Sequence, residues 1–136
     1  MLVDKETARA ELDRFARLAD LNLSTDGLNE KDRDSLSAQC ATVTRAIESG
    51  HLAIDDAGTA CYTPHRAATA DKTPVVFHEP TGADKMAIDR KKDGHLMAKT
   101  FAMMESMCRV TPGRFAAMAN ADLKVCEALF TLLMAG

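Results

Sequence analysis

Tryptophan is absent from this chain, tyrosine occurs once, at Tyr62, and aromatic residues make up only 4% of it. A core so poor in rings has to be filled by Leu, Met, Ala and Val. Charge of one sign is also never concentrated: the net charge is -3, and the only basic run, Arg90-Lys91-Lys92, follows Asp84 and Asp89 as the solvated end of a helix would. A nucleic-acid partner calls for a clustered basic face, so no nucleic acid is expected. No apolar stretch approaches the ~18 residues of a membrane span, and the N-terminus lacks the basic-then-apolar layout of a secretion signal. The expectation is a cytosolic protein with no membrane partner.

Chemistry-bearing motifs are equally scarce. The four cysteines, Cys40, Cys61, Cys108 and Cys126, lie far apart, and three of them sit within apolar helical patterns. Reduced thiols packed as small core residues account for them. The four histidines, His51, His65, His78 and His95, fall in different segments, with no His-Glu-x-x-His helix and no Cys-x-x-Cys pair to hold zinc. Cys61 and His65 are close in sequence, but on a strand and a turn rather than one helix face. Gly82 and Gly94 are isolated, so no phosphate loop is formed, and nothing frames a Ser or Cys nucleophile. No catalytic residue, metal ligand or cofactor is expected, and an enzyme is disfavoured.

What is present is enough for one domain. A chain of 136 residues with 46% hydrophobic and 27% charged side chains is ordinary for a globular protein, and at this length roughly two thirds of the unfolded surface is buried on folding. Ala8, Leu12, Phe15 and Ala19 recur at helical spacing and predict an amphipathic helix over Lys5–Asp20. After a polar loop, Leu36, Cys40, Val43 and Ile47 mark a second helix that Gly50 terminates. The period then changes. "HLAIDDAGTACYTP" reads as two short strands around Asp56-Ala57-Gly58, and the loop between Pro64 and Pro74 leads to a third apolar run, Pro74–Phe77.

The run stops abruptly at Glu79-Pro80-Thr81. Pro80 disfavours a helical conformation at Glu79, and Thr81 with Asp84 three residues on makes a capping box, so strand and helix are joined by local chemistry. A helix over 82–92, ended by Asp93-Gly94, should follow. Met97, Phe101, Met104 and Cys108 mark the next. Thr111-Pro112 announces a short helix through Met118, and a last helix runs to Met134 with Asn120 and Asp122 near its positive end. That last helix is apolar nearly all round, which places it centrally or against another chain. The expected fold is α+β, mainly α: a helical hairpin over 1–50, a small antiparallel β-unit with a linker over 51–80, and a bundle of three to four helices over 81–136, in one compact domain.

Methionine is the unusual abundance. Five of the eight fall between Met86 and Met107, and Met97, Met103, Met104 and Met107 share one helix. Such clusters fill irregular cores or form adaptable surfaces. The apolar arc of that helix is wider than one packed face needs. It leaves open a second, exchangeable contact.

The order of these features resembles the short tail assembly chaperones of long-tailed bacteriophages: a strand closing in "FHEPTGAD", two helices, a Thr-Pro-Gly break and a final "ADLKVCEALFTLLM" helix. Glu79, Pro80, Thr81 and Asp84 match the family's turn as a structural junction, and Asp122, Leu123, Leu129 and Phe130 match its last helix. The likeness spans Thr73 to Gly136, about half the chain. His78 stands where the family often has Arg, and the N-terminal hairpin lies outside the pattern. The resemblance implies a non-catalytic protein of the host cytoplasm that keeps the tape measure protein soluble and extended while tail tube protein polymerises around it, and that is absent from the mature virion. It also implies self-association into a homo-oligomer. The partner-binding residues expected on this basis are Met97, Phe101, Met104 and Met107, with Leu129 and Phe130. A structural component of a phage particle, or a small helical adaptor pairing through its N-terminal hairpin, would use similar surfaces.

Overall fold

The computed structural model describes residues 2–87 and 96–135. In chain order the elements are α1 (Lys5–Leu18), α2 (Glu30–Glu48), β1 (Leu52–Ile54), β2 (Ala60–Tyr62), β3 (Val75–Phe77), α3 (Gly82–Met86), α4 (Leu96–Cys108) and α5 (Asn120–Ala135). The architecture is α+β and mainly α, with five helices and one three-stranded antiparallel sheet among the described residues.

Each end of the first hairpin has a local cause. The Asp4 carboxylate accepts from the Thr7 amide at 2.7 Å, and the Asn29 side chain accepts from the Asp32 amide at 2.8 Å, so both helices open on a side-chain cap. α1 stops two residues short of the expected Asp20, because Asp20 takes the left-handed conformation (φ 57). The Asp20 and Leu21 amides then bond back to Arg17 and Ala16, a Schellman closure. Gly50 (φ 81) closes α2 in the same way, with the His51 amide returning to Ala46.

The sheet order is β1-β2-β3, with Leu52 opposite Tyr62 and Tyr62 opposite Val75. Leu52, Ile54, Ala60, Tyr62, Val75 and Phe77 all point to the core, and the alternate residues face outward, as a sheet packed on one face requires. Arg14 ties α1 to this sheet: its guanidinium donates to the Ile54 carbonyl at 2.6 Å and the Asp55 carbonyl at 2.9 Å while paired with Glu11. The β1–β2 turn is held by the Asp55 carboxylate, which accepts from the Ala57 and Thr59 amides at 2.9 Å.

One hydrophobic core joins all three expected segments. Ala8, Leu12 and Phe15 of α1, Val43 and Ile47 of α2, the inward strand residues, Met104 and Met107 of α4, and Cys126, Leu129 and Leu132 of α5 belong to the same cluster. α5 packs along α2, and that explains a helix with so few polar positions: it occupies the middle. Two expectations need restating. The helix expected over 82–92 is described as α3 through Met86, and its remainder with Asp93-Gly94 lies outside the described residues. Thr111 to Met118 is not a helix but a succession of turns. Gly113 is left-handed (φ 89), which interrupts helical propagation, and its amide is taken by the Glu105 carboxylate at 2.7 Å.

Candidate partner-binding surfaces

The junction Glu79-Pro80-Thr81-Asp84 is built as its sequence predicts. The Asp84 carboxylate accepts from the Thr81 amide at 2.8 Å and the Thr81 hydroxyl at 3.2 Å. Its other oxygen accepts from the Ser106 hydroxyl at 2.6 Å, so a local cap also pins α3 to α4. Burial works against ionisation of Asp84, but the bonds from Ser106 and Thr81 outweigh it and hold the carboxyl below the usual carboxylate range. The start of α3 is therefore held both by its own cap and by α4.

The residues expected to bind a partner do not share one surface. Met104, Met107 and Leu129 are fully buried in the core, Phe101 is half-buried against Phe115 with ring centroids 6.4 Å apart, and Phe130 is half-buried against the core. Only Met97 is exposed. This corrects the expected groove, and the reason is geometric: α4 packs against α3 and β3, and Ala102, Met103, Met104, Met107 and Cys108 in its C-terminal half are all buried. Methionine serves there as a flexible filler. The N-terminal turn of α4 emerges instead, with Leu96 82% and Met97 52% exposed, and Met86 at the end of α3 is 65% exposed. Isolated exposed apolar residues are ordinary, but these three flank residues 88–95 in the sequence.

A cleft of about 470 Å³ lies beside the junction. Its walls come from the end of α1, the β1–β2 turn, the end of β3 with Glu79 and Pro80, and the last described turn of α5. Phe15, Leu18, Leu21, Phe77, Leu133 and Met134 supply apolar surface, while Asp20, Glu79 and Lys85 supply the charges. Gly58 holds two walls together: a Cβ on it would lie 2.4 Å from the Leu18 Cβ, and its φ of +87° is left-handed. A second groove, of about 720 Å³, runs between α1 and α2 past Leu23, Leu36 and Cys40, under a rim of mixed charge.

One polar centre was not foreseen. Asp122 is fully buried, and its carboxylate accepts from the Tyr62 hydroxyl at 2.7 Å, the Thr69 hydroxyl at 2.6 Å, and the His65 and Arg66 amides at 3.2 Å each. Thr69 in turn accepts from the Ala119 amide at 2.8 Å. Burial raises the Asp122 pKa, but these donors more than reverse it, and the carboxyl stays below its ordinary value. The same burial and the adjoining carboxylate push the Tyr62 hydroxyl far up. His65 stacks on His51 with centroids 3.7 Å apart, and burial together with its neighbour depresses the His51 pKa. The network locks the 63–69 loop onto α5, so its role is to hold the fold. One signal was available: the only tyrosine, on an inward strand position, needs a partner for its hydroxyl.

All four cysteines are free, and burial pushes Cys108 up to about 12 and raises the others, so none is a ready thiolate. Among the described residues no group of three or more His, Cys, Asp or Glu is placed to hold a metal, Cys61 and His65 included. No described helix is long and apolar enough to cross a membrane. No protein family, curated protein or solved structure matches this chain.

Proposed function

We propose that this chain is a tail assembly chaperone of a long-tailed bacteriophage, which binds the tape measure protein and keeps it soluble and extended while tail tube protein polymerises around it. The chaperone is not catalytic, acts in the host cytoplasm, associates with itself along its client and leaves before the virion matures. The observation that carries this reading is the exposure of the apolar side chains Met86 at the end of α3 and Leu96 and Met97 at the start of α4. Flexible, unbranched apolar side chains repack against many apolar stretches at modest affinity, which suits a partner that tube subunits must displace. The resemblance of the "FHEPTGAD" junction and the final helix supports the same reading.

An adaptor that pairs through a detachable N-terminal hairpin is less well supported, because α1 and α2 contribute to the one core. The test is co-expression of the full chain with a long helical tape measure segment, followed by soluble yield and by size-exclusion chromatography with light scattering. The expected result is a higher yield of soluble segment and an oligomer that reorganises around it, both lost in Leu96→Glu/Met97→Glu. A strict monomer that never raises the yield would overturn the proposal.

A further inference from the structure

His51 and His65 are stacked face to face, with ring centroids 3.7 Å apart and planes 6° from parallel. His51 leads into β1, whereas His65 belongs to the loop that Asp122 holds on α5, so the stack joins two segments that are anchored separately. The backbone beneath it is paired: the His51 amide donates to the Ala46 carbonyl, and the His51 carbonyl accepts from the Thr63 amide at 2.8 Å. The His65 side chain is 36% exposed, so solvent protons reach the pair.

The hydrogen bonds decide where the proton of neutral His65 sits. Tyr62 has one hydroxyl hydrogen, and it is donated to Asp122 at 2.7 Å. The contact of 3.3 Å between the Tyr62 oxygen and His65 Nδ1 then needs a hydrogen on the nitrogen, and Asp122 Oδ1 lies 3.4 Å from the same atom. Neutral His65 is therefore the Nδ1–H tautomer, and protonation occurs at Nε2. The cation that results faces the Asp122 carboxylate. A cation on His51 has no such partner, because among the described residues no carboxylate lies within ion-pair distance of it. The other groups that reach the pair do not supply one: the chain's amino group repels a charged His51, Arg66 is a further cation, Tyr62 on β2 stays neutral, and the α2 carbonyl of Ala46 is already bonded. Two like charges stacked this closely repel even in water.

We infer that the His51–His65 stack is an acid-sensitive clasp: it accommodates one charge, on His65 opposite Asp122, and a second proton parts the rings and loosens residues 63–65 from the start of β1. Asp122 keeps its bond to Thr69, so the opening is local. Burial, with repulsion from His65 and the amino group, holds the His51 pKa below its ordinary value against the opposing pull of Asp122. The unfolded chain takes up this proton first. The contribution of the stack is therefore present above about pH 6.5 and is lost as pH falls through the folded-state value. The clasp does not depend on the function proposed above.

The test is a titration of the full-length chain, with isotopically labelled histidine, from about pH 8 to about pH 5. Long-range proton–nitrogen NMR reads the tautomer and charge of each ring, and amide exchange, corrected for its intrinsic pH dependence, reads protection. His51→Gln and His65→Gln each leave a single ring at a partly exposed position. At pH 8 His65 should be the Nδ1–H tautomer, and His51 should take up its proton at lower pH in the parent than in His65→Gln. Protection of the Thr63 amide should fall about tenfold as His51 titrates, while α5 keeps its own. In His51→Gln the acid effect on Thr63 should vanish. An Nε2–H tautomer at His65, a His51 that titrates alike with and without its neighbour, or Thr63 protection that is constant or falls equally in His51→Gln would each overturn the inference. Should either variant fail to fold, the parent still decides through the tautomer and through the coincidence of Thr63 opening with His51 protonation.

Discussion

Asp84 and Asp122 are both buried carboxylates in the first turn of a helix, yet they organise the molecule on different scales. Asp84 is answered mainly by Thr81, three residues away, with one longer reach to Ser106. Asp122 is answered by Tyr62, His65, Arg66 and Thr69, all more than fifty residues earlier in the chain. A short motif shapes a joint; a fully enclosed acceptor decides which loop lies on which helix. Both are fixed by the same principle, that a buried carboxylate has to be matched by donors to remain charged.

The contrast predicts unequal damage. Asp122→Ala strands the buried Tyr62 and Thr69 hydroxyls, whereas the amides of exposed His65 and Arg66 can turn to water, and at about 1–3 kcal/mol for each unsatisfied group the loss should reach at least about 2 kcal/mol. Urea unfolding followed by circular dichroism measures it, and Asp122→Asn, which keeps one acceptor oxygen, should recover part of it. A loss under about 1 kcal/mol would show that the network adds little and would remove the distinction drawn here. Asp84→Ala should cost less, about 1–2 kcal/mol, because exposed Thr81 can turn to water. Its signature is local: amide exchange should quicken across α3 while α5 keeps its protection, and equal loosening of both helices would contradict it.

The smallest effect separates the two carboxylates by pH. Both are held below the ordinary carboxylate range, so on acidification the unfolded chain takes up protons before the folded one does. Their contribution is fully present above about pH 4 and is lost as pH falls through the folded-state values. Stability measured between pH 6 and pH 3 should therefore fall less steeply in Asp122→Ala than in the parent, with Asp84→Ala between them. Parallel curves for all three proteins would assign the acid sensitivity to other groups.

The methionines show where sequence reading meets its limit. Their number on α4 was plain, but Met97 is exposed while Met104 is fully buried, and both lie on the same apolar spacing. Periodicity reports the face of a helix; it does not report how far along that face the neighbouring elements extend. α4 packs against α3 and β3, and its buried residues all lie in the C-terminal half. The cleft was illegible for a similar reason, since its walls come from four elements that are distant in sequence. Gly113 is a smaller instance: Thr111-Pro112 is a sound helix opening, but Glu105 captures the next amide and the segment turns instead.

By itself the sequence determined whatever depends on neighbours a few residues apart. Helix caps at Asp4 and Asn29, closure at Gly50, the strand pair around Asp56-Ala57-Gly58 and the stop at Pro80 all follow from local sterics and local hydrogen bonds. The mainly helical α+β class follows from them too. Tertiary structure alone decided that α2 and α5 would share a core and that Tyr62 would find Asp122. Those outcomes depend on packing apolar faces against one another, and a face specifies that it must be covered without specifying by what.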